Sequence, residues 1–174
     1  EILEVCPKCK ESALRDVGSG TQKIEEEIKK LFKDAKVLRM DADTTSKKGS
    51  HHKIIEEFNS NNYDILVGTQ MISKGLNFPN VTLVGVINGD SSLNIPNFRS
   101  AENTFSLLNQ VIGRAGRHEK LGEAIVQTFN PDHYSIVEAS KHDYKSFYKN
   151  EMLIRKKLNY PPYCFITLSK ITSK

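Results

Sequence analysis

The residues best equipped for chemistry lie in the stretch Gln110-Val111-Ile112-Gly113-Arg114-Ala115-Gly116-Arg117. Arg114 and Arg117 are three residues apart, so on a helix or in its last turn they share a face and both guanidinium forks can reach one anion. Arginine stays charged and offers five planar donors, a better match to a phosphoryl group than the point charge of lysine. Gly113 and Gly116 leave room for close backbone approach and for the turn that ends the helix. Two readings fit these residues alone. In one, the arginines stabilise negative charge on a phosphate in transfer. In the other, they only complement the dipole at a helix C-terminus.

Three other stretches carry functional groups. Gly18-Ser19-Gly20-Thr21 stands ahead of a helical pattern, where free N–H groups can hold an anion such as a backbone phosphate. The plainer reading is a turn capped by Thr21. It is not a Walker A loop, because no Gly-Lys-Thr follows at the required spacing. The segment Thr69-Gln70-Met71-Ile72-Ser73-Lys74-Gly75-Leu76-Asn77-Phe78-Pro79 follows an apolar strand pattern, and ligands of open parallel sheets bind at the carboxyl ends of strands. Its Thr, Gln, Lys and Gly suit phosphate or sugar contacts, whereas a short helix closed by Gly75 and Pro79 is the structural alternative. Cys6-Pro7-Lys8-Cys9 supplies half of a tetrahedral zinc site, or else a redox pair. His51 and His52, about forty residues on, do not have the spacing to complete it and read as surface residues at a helix start. Asp41 and Asp43, in the polar loop 41–48, read as solvated carboxylates.

The elements that must position these groups follow from hydrophobic periodicity. Ile24, Ile28, Leu31 and Phe32 recur at helical spacing, with Glu25 to Glu27 read as a first turn and Lys29, Lys30 and Lys33 as a last. Lys36 to Met40, Asp64 to Gly68, Val81 to Ile87 and Gly122 to Phe129 read as strands. Their near-continuous β-branched runs predict burial on both faces, hence a parallel sheet flanked by helices. Helices are predicted from about Ser50 to Asn59, carrying Ile54, Ile55 and Phe58, and from about Ser100 to Ile112, with Ala101, Phe105, Leu108 and Ile112 on one face. Asn88 to Arg99 is a loop. After Asn130-Pro131 a basic helical pattern runs through Lys157, with Tyr144, Phe147, Tyr148 and Met152 packing. Tyr160-Pro161-Pro162-Tyr163 breaks it, and Cys164 reads as a small buried residue in a strand-like run.

Composition sets outer limits. The 174 residues, 38% hydrophobic and 26% charged, describe an ordinary globular chain with room for one full core. A net charge of +4 permits nucleic-acid binding without arguing for it. No apolar run is long enough to span a membrane and no leader pattern opens the chain. Three cysteines make no disulfide framework, which points to a reducing, cytoplasmic setting. Both ends read as cut from something longer.

Taken together, the β-α alternation, the Gly68-Thr69-Gln70 loop and Gln-x-x-Gly-Arg-x-Gly-Arg resemble the second RecA-like lobe of superfamily 2 helicases. Gln110 to Arg117 matches motif VI of that superfamily and Thr69 to Asn77 resembles motif V. The ordered set is more specific. Cys6 to Cys9, Gly18 to Glu27, Asp41 to Thr45, Gly68 to Gly75 and Pro96 to Glu102 resemble the pattern of the bacterial replication-restart helicases, the primosomal protein N-prime (PriA) family. The resemblance covers nearly the whole chain. It implies an α/β fold of the RecA-like, P-loop NTPase type, a parallel sheet with helices on both faces. Residues 1–12 would be the remnant of a zinc-binding insertion, 13–142 the helicase lobe, and 143–174 a helical linker and the start of a C-terminal domain.

The resemblance further implies that Arg114 and Arg117 reach the γ-phosphate of ATP across a cleft and that Gln110 couples nucleotide state to lobe closure. Gly75, Asn77 and Gly113 would lie at the nucleotide. Gly18, Gly20, Thr21, Thr69, Gln70 and Lys74 would meet DNA, and Cys6 and Cys9 would be the last two ligands of a Zn2+ cluster whose other cysteines precede Glu1. Many relatives in the wider superfamily carry an acidic residue near Asn77, where this chain does not. The family's partners are forked or single-stranded DNA, primosome proteins and the single-stranded-DNA-binding protein. ATP with Mg2+ would be held mainly by a first lobe, since no Walker A lysine motif and no Asp-Glu-x-His occur here. The chain alone is therefore expected to be inactive as an ATPase. Two other classes compete: a non-catalytic nucleic-acid-binding module of the same fold, and a zinc or redox protein resting on Cys6 and Cys9.

Overall fold

Ile24 and Ile28 recur one turn apart among glutamates and lysines. With Thr21 and Glu25 they form the half-buried stripe of helix α1 (Thr21–Leu31). The helix starts at Thr21, so the Glu25–Glu27 run falls in its middle rather than in its first turn, while Lys29 and Lys30 do occupy the last. Leu31 and Phe32 lie outside the stripe and are exposed. The computed structural model of the chain describes residues 20–46, 49–73, 78–113, 122–167, 169 and 171–172. They form two compact units that divide between Ile72 and Ser73.

In the first unit, strands β1 (Val37–Met40) and β2 (Ile65–Gly68) pair in parallel, with Val37 opposite Ile65 and Met40 opposite Gly68. Parallel neighbours need a crossover, and helix α2 (Ser50–Asn59) supplies it. Val37 and Met40 are three apart and so point to opposite faces of the sheet. Both are buried, so both faces of β1 are covered. Helices α1 and α2 pack against it. Gly49, the residue before α2, has φ 87°, a left-handed conformation open to glycine at little cost.

The second unit is built from β3 (Leu83–Val86), α3 (Ser100–Ile112), β4 (Glu123–Val126), α4 (Tyr134–Ser140) and α5 (Tyr144–Lys157). Strands β3 and β4 pair in parallel, Leu83 opposite Glu123 and Val86 opposite Val126. Phe105, Leu108, Ile136, Ala139 and Phe147 form the core, with Val86, Val126 and Ile112 packed against it. The Phe105 and Phe147 rings stack at 4.1 Å. Among the described residues only one face of this sheet is covered. Leu83 and Ile125 on the other face are 58% and 55% exposed, which departs from the expected burial on both sides. The described residues thus form two separate two-stranded parallel sheets, where one continuous sheet was expected.

The basic segment after Pro131 is two helices rather than one. His142 takes φ 53°, and Asp143 restarts the helix by accepting the Ser146 N–H at 3.0 Å. That break leaves Phe147 buried but turns Tyr144 and Tyr148 out to solvent, against expectation. Arg155 fastens α5 to its neighbours: it donates to Glu151 at 2.7 Å, to Glu102 of α3 at 2.8 Å and to the Pro161 carbonyl at 3.2 Å. Helix α5 stops before Tyr160-Pro161-Pro162, as the prolines require. Cys164 is only half-buried and lies in no strand; its Sγ donates to the Asn159 carbonyl. No helix among the described residues is long and apolar enough to cross a membrane.

Candidate nucleic-acid and nucleotide interface

Parallel strands leave their carboxyl ends at one edge of a sheet. The pairing of Met40 with Gly68 sets the residues that follow them, Asp41 and Thr69, at the same edge of the first unit. The start of α1 joins them there, because the Thr21 hydroxyl donates to Asp41 Oδ2 at 2.5 Å. Gly68 makes the edge possible. A Cβ on it would lie 2.3 Å from the Met40 carbonyl oxygen and 2.4 Å from Ile72 Cδ1. Without that Cβ the chain turns at once into a 3-10 turn, Gln70–Ser73, with the Ile72 N–H donating to the Thr69 carbonyl at 3.1 Å. Thr69 and Gln70 are exposed on this turn.

Asp41 corrects the expectation of a solvated carboxylate, because it is 6% exposed. Besides Thr21, it accepts the Thr44 N–H at 2.9 Å, and Arg39 Nε lies 3.2 Å from its Oδ2. Burial alone would raise its pKa, but the hydroxyl and amide donors from Thr21 and Thr44, with the Arg39 charge, outweigh burial and hold it below the usual carboxylate range. Its carbonyl takes the Thr45 N–H at 3.0 Å and the Thr45 hydroxyl, closing the 41–45 loop. Asp43 is exposed, as expected. Arg39 is shared with Glu25, 3.6 Å away, so this cation is committed inside the fold.

Gly20, not Thr21, is the N-cap residue of α1, and no side-chain cap bond is present there. The Thr21 hydroxyl is a donor to Asp41 rather than an acceptor for the helix amides. The edge therefore offers main-chain N–H groups at a helix start together with the Thr69 and Gln70 side chains. Groups of that kind suit phosphate and sugar, which carry no base sequence.

In the second unit, Gln110 is exposed near the end of α3, and its Nε2 donates to Ser106 Oγ at 3.2 Å. Gly113 follows α3 with φ −67° and ψ 0°, right-handed rather than the left-handed turn its glycine permits. A Cβ there would meet the Asn109 carbonyl at 3.1 Å, so the glycine gives closeness rather than a reversed backbone. His142 Nδ1 donates to Asn109 Oδ1, tying this end of α3 to the corner between α4 and α5. Gly18, Lys74, Gly75, Asn77, Arg114, Arg117, Cys6 and Cys9 lie outside the described residues. Among the described residues no group of three or more His, Cys, Asp or Glu could hold a metal ion.

The structure thus brings Gly20, Thr21, Thr69 and Gln70 to one sheet edge and places Gln110 and Gly113 in the other unit. Two further contributors to this edge, beyond the expected site residues, are Asp41 and Gly68. Asp-x-x-Thr directly after a strand, the pattern of a side chain closing its own turn, is the signal that marks Asp41. Gly68 carries no such signal, since its need arises from Met40, a distant residue.

Residues 10–119 match the family model described as the helicase conserved C-terminal domain. Nearly the whole chain is also similar to replication restart protein PriA of Bacillus subtilis (strain 168), 54% identical over 171 residues that make up 98% of this chain and 21% of that protein. It is 44% identical to PriA of Chlamydia pneumoniae over 164 residues, 94% of this chain and 22% of that protein. PriA of Haemophilus influenzae is 40% identical over 173 residues, 99% of this chain and 24% of that protein. The chain therefore spans between about a fifth and a quarter of the length of these relatives. With parallel strand pairs joined through helices and a family match over most of its length, the chain belongs to the helicase conserved C-terminal domain family and has that family's RecA-like α/β fold.

Proposed function

We propose that this chain is the second motor lobe of an ATP-dependent 3′–5′ DNA helicase acting in replication restart and primosome assembly. The observation that carries the reading is the gathering of Gly20, Thr21, Thr69 and Gln70 at the carboxyl edge of β1 and β2. Similarity to proteins named for replication restart supports it. In this reading residues 13–142 are the lobe. Residues 1–12 belong to a zinc-binding insertion and 143–174 lead into a further domain.

The DNA strand is gripped through main-chain amides at Gly18, Gly20 and Thr21 and through Thr69, Gln70 and Lys74. Backbone contact of this kind is sequence-independent and salt-sensitive, as translocation along DNA requires. Gly75, Asn77 and Gly113 border the nucleotide, and Gln110 senses it. Arg114 and Arg117 neutralise charge on the γ-phosphate of ATP, whose Mg2+ and remaining phosphates are held by a first lobe. The chain has no Walker A or Asp-Glu-x-His motif, so alone it is inactive as an ATPase. Cys6 and Cys9 offer two thiolates, and a closed tetrahedral zinc site takes four ligands, so Zn2+ would bridge them to cysteines elsewhere in the parent. The partners are forked or single-stranded DNA, primosome proteins and the single-stranded-DNA-binding protein, in the bacterial cytoplasm.

The test is Arg117→Ala in the full-length protein. Turnover of DNA-stimulated ATPase should fall about a thousandfold or more, the usual effect of losing such an arginine, with the circular dichroism spectrum unchanged. Undiminished turnover in a folded variant overturns the motor reading. A full-length protein with no ATPase at all would leave a non-catalytic nucleic-acid-binding module instead.

A further inference from the structure

We propose that Asp41 is a positioning residue for the DNA strand: its carboxylate anchors the first turn of α1, through Thr21, to the sheet edge that carries Thr69 and Gln70. The inference rests on the reading of that edge as the DNA grip. A carboxylate beside a phosphate track is unexpected on charge alone, since like charges repel. The geometry removes the difficulty. Asp41 is buried, its Oδ2 is taken by the Thr21 hydroxyl and Arg39 Nε, and its Oδ1 by the Thr44 N–H. Its charge is neutralised inside the fold.

The same contacts define what Asp41 does. The first N–H groups of a helix lack partners within it, and at Gly20 no side chain caps them. To act on a phosphodiester they must be held still and aimed outward. The Thr21 hydroxyl links that turn to the end of β1, and Asp41 is its acceptor. Asp41 also closes the 41–45 loop through Thr44 and Thr45, and it directly follows Met40, whose strand partner Gly68 precedes Thr69. One side chain thereby fixes the helix start relative to the strand ends. Thr21 in turn contributes its position and its main-chain N–H, while its hydroxyl proton stays directed at Asp41.

The experiment uses the full-length protein and single-stranded oligodeoxythymidylate, with ATPase measured against DNA concentration. Loss of a charge-assisted hydrogen bond predicts that Asp41→Ala raises the DNA concentration for half-maximal ATPase about tenfold while turnover at saturating DNA stays within about twofold. Thr21→Val, which removes only the hydroxyl, should do the same, and the double variant should add nothing to either single one. The slope of log affinity on log salt should become shallower by about 0.7 for each phosphate the protein no longer touches. An unchanged half-saturation point in Thr21→Val overturns the inference, even if Asp41→Ala fails to fold. So does tighter binding by Asp41→Ala, which would make the carboxylate a simple repellent. If Arg117→Ala abolishes turnover while these variants bind normally, the motor reading survives and only the positioning role falls.

Discussion

Gly68 offers the sharpest test of how the sheet edge is built. In Gly68→Ala the new Cβ would stand 2.3 Å from the Met40 carbonyl oxygen, more than an ångström inside ordinary contact at 3.4 Å. The second obstacle, Ile72 Cδ1 at 2.4 Å, ends a flexible side chain and can rotate away. The carbonyl cannot move without opening the pairing of Met40 with Gly68. That places the cost in the upper part of the overpacking range, about 2–3 kcal/mol. For a chain of this size it corresponds to a fall of about 4–12 °C in melting temperature. Gly85→Ala is the control. No atom lies within 4 Å of its Cβ, so reduced freedom of the unfolded chain should leave it neutral or more stable by about 0.4–1 kcal/mol. Thermal unfolding of the purified chain by circular dichroism reads both. If Gly68→Ala melts with the parent, or both variants fall equally, crowding at Met40 is not what demands glycine there.

The other expectations concern the second unit. Arg155→Met leaves Glu151, 5% exposed, without its cation, and should destabilise by about 3–5 kcal/mol in urea titration. Arg155→Met combined with Glu151→Leu should recover more than half of that, and unchanged stability in the single variant would contradict the role of Arg155 as a fastener. Asp90, 1% exposed, is held below the usual carboxylate range by the Asn130 amide and the Phe129 N–H, which outweigh burial. Its folded pKa lies below the unfolded value, so its contribution is present above about pH 4 and is lost as pH falls through the folded value. Asp90→Asn should therefore be less stable than the parent near pH 7, with the gap narrowing below about pH 4; a gap independent of pH would refute this assignment.

Much of this architecture is legible in the residues themselves, for a physical reason. The bounds of α2 and α3 follow from local periodicity, because a helix closes its hydrogen bonds within its own segment. The strand cores and the placement of Thr69 after β2 are legible for a similar reason, since four apolar residues between polar turns leave few alternatives. Motif order along the chain, and the family it resembles, can likewise be read from residue types alone.

Contacts between residues far apart in the chain depend on the assembled fold. The break at His142 comes without any proline or glycine, and Tyr144 and Tyr148 beyond it are exposed while Phe147 joins the core with α3 and α4. One-sided burial of β3 and β4 cannot be read from Leu83 or Ile125, whose residue type is the same on either face. The roles of Asp41 and Gly68 arise where β1, β2 and α1 meet, through Thr21, Arg39 and Met40. Residue types and their order are enough to say which groups carry donors suited to a phosphate and in what succession they occur. That Thr21 commits its hydroxyl to a buried carboxylate is a property of the folded unit, because the carboxylate is twenty residues away and comes within reach once the helix lies on the strand.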